Sequence, residues 1–133
     1  MKYMEKTKGE KINSSTSRKS MDSFSKKYLN KKVKVVIDRP LGSRHPQFGR
    51  KYLLNYGYLP GTKGLDGEEI DVYILGVEQP LKEFEGEVIA ILHRFNDNDD
   101  KLIVVPEGRK FSDKEIKNLV NFQEKYFHSE IVR

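Results

Sequence analysis

An acidic turn leads directly into an apolar run in the stretch Leu65-Asp66-Gly67-Glu68-Glu69-Ile70-Asp71-Val72-Tyr73-Ile74-Leu75. Residues 72–75 have the length and the β-branched or aromatic content of a buried strand. Gly67 allows a tight turn just before this strand. Asp66 and Glu68 therefore lie in the turn and Asp71 at the start of the strand, where their carboxylates can converge on one point.

Converging carboxylates are the outline of a site for a hard metal ion. Mg²⁺ prefers carboxylate oxygens, uses few of them and keeps water in its other positions. A second acidic cluster, residues 97–100, precedes Lys101 and another apolar run. Taken alone, this cluster favours a polar hairpin turn. Taken with the first, it predicts a site with more than one metal ion, which suits phosphoryl chemistry.

Charge is unevenly distributed along the 133 residues, whose formal net charge is +5. Residues 1–34 carry eleven of the 25 Lys and Arg but three of the 20 Asp and Glu, so the remainder is slightly acidic. Residues 1–28 are basic and poor in aliphatic side chains, which predicts a disordered tail. Residues 29–133 are then expected to form one domain around one core.

Several classes of protein are disfavoured by composition. The sequence has no apolar stretch of membrane-spanning length, no secretory signal and no Cys. We therefore expect a cytoplasmic protein without a membrane partner, disulfides or thiolate catalysis. The spacing of His45, His93 and His128 does not match a zinc site.

Short apolar runs separated by turns predict the fold class. Val33, Val35 and Ile37 alternate along a half-buried strand that Pro40 ends, with Asp38 at its exit. Further runs of buried-strand length occupy residues 72–75, 88–92 and 102–105, with a loop at 76–86. This pattern is typical of a small barrel.

One helix is expected near the C-terminus. Ser112 and Glu115 form a capping box, and apolar residues follow at helical spacing, at Ile116, Leu119 and Val120, then Tyr126 or Phe127. The predicted fold is mainly β (α+β): a small five-stranded, OB-like barrel with a C-terminal amphipathic helix.

A known family shares the order of these motifs. Asn55-Tyr56-Gly57-Tyr58 precedes residues 66–71, and both precede the acidic turn that ends at Lys101. This order resembles the soluble family I inorganic pyrophosphatases over roughly residues 33–127. The signature of that family is an Asp, a Gly, a second acid, any residue, an aliphatic residue and a final Asp, and residues 66–71 fill it in order.

The resemblance implies hydrolysis of inorganic pyrophosphate to two phosphates, with two or more Mg²⁺ ions as cofactors. Motif position assigns metal binding to five carboxylates, those of Asp38, Asp66, Asp71, Asp97 and Asp99. Glu68 takes the position of the general base. The phosphate oxygens are assigned to four side chains, Arg44, Tyr56, Lys101 and Tyr126. Because the loop around Arg44 is short, Arg39, Arg50 or Lys51 could take its place.

Three departures from the family pattern affect the activity that the resemblance implies. Eleven residues separate Pro40 from Tyr52, too few for the hairpin that carries an additional Lys and acid in the family. Phe127 stands where the family has a phosphate-binding Lys, and Glu68 is one methylene longer than the usual Asp. The metal-binding half of the site is thus better kept than the substrate-binding half, which leaves slow turnover open.

Other functions and assembly states also stay open. One alternative is hydrolysis of a nucleotide or other diphosphate, and another is a non-catalytic OB-like module that binds nucleic acid or a phosphorylated partner. Nucleic acid is disfavoured, because an OB-type reader needs a positive groove and residues 35–133 are slightly acidic. Self-association as a homo-oligomer is open for so short a chain.

Overall fold

The computed structural model describes residues 25–64, 67–97 and 99–133. Within them the chain forms six strands and one helix in the order β1 (Lys32–Arg39), β2 (Asn55–Tyr58), β3 (Asp71–Ile74), β4 (Glu83–Arg94), β5 (Asp99–Val105), α1 (Asp113–Glu124) and β6 (Ser129–Val132). None of the described helices is both long and apolar enough to cross a membrane.

The strands close into a ring. They pair in the order β1-β2-β3-β5-β4-β6, and β1 also pairs with β4. The ring therefore contains five strands, while β6 adds to the outer part of β4. All pairs are antiparallel except β3 and β5, which run parallel. This architecture confirms the prediction of a mainly β, five-stranded OB-like fold with one helix.

Two apolar clusters lie on opposite faces of the strands, as the alternation of side chains requires. Val72 and Ile74 of β3 belong to the cluster that fills the ring. Tyr73, from the other face of β3, packs in a second cluster with Ile116 and Val120 of α1. The helix thus covers part of the outer face of the ring.

The capping box predicted for the helix is present. Ser112 Oγ accepts a hydrogen bond from the Glu115 amide, and the Glu115 carboxylate accepts one from the Ser112 amide. The helix ends earlier than its apolar spacing suggested, because Glu124 is its last residue and Tyr126 and Phe127 follow it. Leu119, expected on the buried face, is 39% exposed.

Strand boundaries also differ from the predictions. β4 begins at Glu83, so the loop predicted over residues 76–86 was too long. Pro80 and Gly86 indicated a loop, but pairing with β1 extends the strand through Gly86. The short strands β2 and β6 were not predicted, because each has four residues and depends on its partner strand.

Residues 25–29 belong to the folded part of the chain. Ser25 is buried and its hydroxyl donates to the Asp100 carboxylate, whose other oxygen lies 2.6 Å from His93 Nδ1. Tyr28 and Leu29 pack against the apolar cluster inside the ring. The predicted disorder of the tail up to residue 24 falls outside the described residues.

Gly57 is required by the close approach of β1 and β2. A Cβ at this position would lie 1.9 Å from the Val36 carbonyl oxygen and 2.8 Å from Ile37 Cα. We expect Gly57→Ala to lower the free energy of unfolding by about 1–3 kcal/mol, because the strand backbone must move. Urea unfolding measures this change, and a loss below roughly 0.5 kcal/mol would contradict the tight pairing.

Candidate active site

The parallel pairing of β3 with β5 brings together charges that are distant in the sequence. Asp71 lies beside Lys101 in the register of the two strands. Lys101 Nζ donates to Asp71 Oδ2 at 2.8 Å and to Asp99 Oδ2 at 3.0 Å. Tyr56 on β2 donates its hydroxyl to the same Asp71 oxygen at 2.8 Å. Two carboxylates, one ammonium group and one phenol therefore form a single connected cluster.

Lys101 is charged although its side chain is only 2% exposed. Burial acts to lower the pKa of its ammonium group, but the carboxylates of Asp71 and Asp99 outweigh burial and raise it. Burial, together with the charge of Asp71, raises the pKa of the Tyr56 phenol well above its ordinary value. The cluster thus combines a charged ammonium group and a neutral phenol with two carboxyl groups.

Asp38, at the end of β1, lies near this cluster. Burial raises the pKa of its carboxyl group, Arg39 opposes the rise, and the charges of Asp71 and Glu69 add to it. The side chain is nevertheless 48% exposed and therefore accessible to a ligand. Asp38 and Asp71 also line the same cavity, and the charge of Asp71 acts to raise the pKa of Asp38.

A cavity of about 360 Å³ opens over these groups. Its lining includes three acidic side chains, Asp38, Asp71 and Asp99, and four basic ones, Arg39, Arg50, Arg94 and Lys101. The other described residues that line it are His45, Phe48, Tyr52, Tyr56, Gln123 and Phe127. A small polyanion would meet concentrated positive charge here, with carboxylates alongside that suit a metal ion.

One wall of the cavity is a buried ion-pair network. Arg94 forms two hydrogen bonds with the Glu124 carboxylate, at 2.9 and 2.7 Å, and a third with Asp97 at 3.1 Å. Burial acts to lower the pKa of Arg94, but hydrogen bonding to Glu124 raises it above its ordinary value. Its guanidinium lies 3.6 Å from the ring centre of Phe127, so the cation is held between an acid and an aromatic face.

A model of one protein family matches almost the whole chain. The family is described as inorganic pyrophosphatase, and the match runs from residue 4 to residue 131. The chain belongs to the inorganic pyrophosphatase family.

Relatives in sequence and structure agree with this family. Inorganic pyrophosphatases from Neisseria meningitidis serogroup A and serogroup B are 31% identical over 110 residues and 32% identical over 108. These matches cover 67% and 65% of this chain, and the chain spans 62% and 60% of the length of the two curated relatives.

Solved structures share the fold of this pyrophosphatase-family chain. The inorganic pyrophosphatase of Ehrlichia chaffeensis superposes with a TM-score of 0.61 at 19% identity, over 77% of this chain and 85% of that one. The enzyme of Neisseria gonorrhoeae gives a TM-score of 0.54 at 26% identity, over 71% and 75% of the two chains.

Five of the residues predicted for the site line this same cavity, namely Asp38, Tyr56, Asp71, Asp99 and Lys101. Asp97 instead bonds to Arg94 in the turn between β4 and β5. The turn connects two antiparallel strands, as the alternative interpretation of residues 97–100 as a polar hairpin turn predicted. Asp99 and Asp100 already belong to β5.

Three more of the predicted residues, Glu68, Arg44 and Tyr126, are described by the structure and do not line this cavity. Glu68 is exposed and does not line it, and Asp66 falls outside the described residues. Arg44 is exposed and donates to the Gly49 carbonyl oxygen at 3.0 Å. Tyr126 is 59% exposed and its ring lies 4.9 Å from the Arg50 guanidinium carbon.

Arg94 was not predicted, although it lines the site. Its only signal in the sequence is a charged residue that ends an apolar strand, a pattern that also fits a solvated strand end. The bonds to Glu124 depend on the contact of β4 with the end of α1, whereas Asp97 lies only three residues further along the chain. Arg50 was named only as a substitute for Arg44, and the tertiary structure brings it to the cavity.

The donors of the site fit a magnesium ion. Asp71 uses one oxygen for both Tyr56 and Lys101, and within the described ranges its other oxygen has no hydrogen-bond partner, which suits a ligand. The repulsion between Asp38 and Asp71 is of the kind that a divalent cation relieves. Within the described residues no three acidic or His side chains enclose an ion on their own. Mg²⁺ is commonly held by one or two carboxylates plus water and substrate phosphates, which matches this arrangement.

Proposed function

We propose that the protein hydrolyses inorganic pyrophosphate to two phosphates and depends on Mg²⁺. The observation that carries the proposal is the cluster of Asp71, Asp99 and Lys101 beneath an arginine-lined cavity in a chain of the inorganic pyrophosphatase family. Negative groups for a metal and positive groups for phosphate oxygens are both needed for phosphoanhydride hydrolysis.

The residues of the cavity would divide the work. Lys101 keeps the Asp71 and Asp99 carboxylates oriented, and Tyr56 adds a second donor to Asp71. Asp38, Asp71 and Asp99, with Asp66, would hold Mg²⁺. Bound there, the metal would supply charge neutralisation of phosphate oxygens and a water of lowered pKa. Lys101 and the arginines would offset the charge of the departing phosphate.

The general base is proposed on motif position alone. Glu68 occupies the position of the middle acid in the family signature. Its side chain is exposed and does not line the cavity, so the role requires the turn before Asp71 to approach the substrate. The number of metal ions, the cytoplasmic location and self-association likewise stay predictions.

A phosphate-release assay tests this function. We expect phosphate from pyrophosphate in the presence of Mg²⁺, and release at the level of the blank once the ion is chelated, because the water then loses its activation. A panel of nucleoside diphosphates and triphosphates in the same buffer tests the alternative substrates. Turnover that persists with Mg²⁺ chelated, or a clear preference for a nucleotide, would contradict the proposal.

A further inference from the structure

The short segment between β1 and β2 is a defined hairpin that brings one particular arginine to the cavity. The Tyr52 amide donates to the Ser43 carbonyl oxygen at 2.8 Å, and the His45 amide donates to the Arg50 carbonyl oxygen at 2.8 Å. The backbone of Arg50 is therefore fixed on the arm of the hairpin that returns to β2. Its side chain lines the same cavity as Asp71 and Lys101.

Two aromatic rings hold the Arg50 side chain. The guanidinium carbon lies 5.2 Å from the centre of the Phe48 ring and 4.9 Å from that of Tyr126. Contacts of this kind attract the cation and restrict a side chain that is otherwise flexible. Phe48 and Tyr126 are 64% and 59% exposed, so the two rings hold the guanidinium at the surface of the molecule. Arg50 is thus positioned before any ligand arrives.

One donor of Arg50 is unused within the described part of the chain. Arg50 Nε is buried and has no hydrogen-bond partner among residues 25–64, 67–97 and 99–133. Arg94 and Lys101, the other cations deep in the cavity, bond to acids, whereas Arg50 forms no ion pair with any residue of the described chain. A buried donor without a partner is costly. The side chain that carries this donor lines the cavity, so an anion bound there would lie beside the guanidinium.

We propose that Arg50 binds a phosphate group of the substrate and that Tyr126 positions Arg50. The inference rests on the proposed function for its choice of substrate. Motif position had assigned the phosphate contact to Arg44, but that guanidinium bonds to the Gly49 carbonyl oxygen outside the cavity. The planar guanidinium of Arg50 can donate two parallel hydrogen bonds to one phosphate group. Arg50 thereby adds a cation to the substrate-binding half of the site, where Phe127 replaces a lysine of the family.

Steady-state kinetics of Arg50→Gln test the substrate contact. We expect KM for pyrophosphate to rise by about 10- to 100-fold, the usual loss for one charge-assisted phosphate contact, with kcat lowered by less than about threefold. Arg50→Lys should recover part of the loss, because it restores the charge without the planar fork. A KM within twofold of the original protein in Arg50→Gln would overturn the proposal.

Lys51→Gln is the matched control. It removes the same charge from the neighbouring position, is exposed and does not line the cavity, so both constants should stay unchanged. Tyr126→Leu should raise KM by about three- to tenfold while Arg50 is intact, because the guanidinium loses one stacking face. A larger KM effect from Lys51→Gln than from Arg50→Gln would count against Arg50 as the contact.

Binding without turnover separates this proposal from the proposed function. Titration calorimetry with imidodiphosphate, a pyrophosphate analogue that resists hydrolysis, is run in Mg²⁺ on the full chain and on Arg50→Gln, Arg44→Gln and Lys51→Gln. Weaker binding by about tenfold or more in Arg50→Gln alone supports Arg50, even if the full chain releases no phosphate. Equal binding by Arg50→Gln and the full chain, no binding by the full chain, or a loss confined to Arg44→Gln would overturn it.

Discussion

Asp71→Asn should lower Mg²⁺-dependent release of phosphate from pyrophosphate by at least about 100-fold. The amide keeps the shape of the side chain and can still accept one hydrogen bond from Lys101 or Tyr56. It removes the negative charge, and with it the oxygen best placed to bind a metal ion. The loss should appear in kcat/KM and should be only partly relieved by raising the Mg²⁺ concentration.

Two measurements show whether the Asp71→Asn loss belongs to the site. Thermal unfolding should change by a few degrees at most, because Lys101 keeps Asp99 as its partner. Asp113→Asn is the matched control, since Asp113 is an exposed acid at the start of α1 that pairs with Arg133. It should retain full activity. Asp71→Asn activity within about threefold of the original protein would remove Asp71 from the proposed mechanism.

Glu124→Leu should cause the largest loss of stability, about 3–5 kcal/mol in the free energy of unfolding. The side chains of Glu124 and Arg94 are 5% and 8% exposed, so the substitution leaves a buried guanidinium with only Asp97. Tyr73 also loses an acceptor, because its hydroxyl donates to Glu124 at 2.6 Å. Urea or guanidinium unfolding monitored by circular dichroism measures the change.

A double variant distinguishes an ion-pair effect from a packing effect at Glu124. Arg94→Met combined with Glu124→Leu removes both charges, and much of the lost stability should return, because an uncompensated buried charge is the main cost. Glu107→Leu serves as the control, since Glu107 is 75% exposed in a surface pair with Lys32 and should cost less than about 1 kcal/mol. A double variant no more stable than Glu124→Leu would show that packing dominates.

Local sequence patterns predicted the elements that are stabilised by neighbouring residues or that have one clearly apolar face. The alternation of Val33, Val35 and Ile37 corresponds to β1, and the capping box of Ser112 and Glu115 begins α1 one residue later. β2 and β6 were missed, because four-residue strands are stabilised by cross-strand partners that a single sequence does not reveal.

The sequence by itself determined the donor chemistry of the site and the family. An Asp-Gly-acid turn ahead of an apolar strand places carboxylates at a strand end, since Gly permits the turn and the strand anchors the last Asp. The tertiary structure alone decided which of these groups share a cavity. Asp71 and Lys101 are thirty positions apart and meet only because β3 and β5 pair in parallel.

Which cations line the cavity was likewise decided by the tertiary structure. Motif position favoured Arg44 and left Arg50 as a substitute, but the hairpin turns Arg44 toward its own backbone and Arg50 toward the cavity. Arg94 is held by Glu124 from the end of α1, a contact between residues thirty positions apart. Side chains with the same charge differ in position here because packing and hydrogen bonding, which no local pattern encodes, fix where each guanidinium lies.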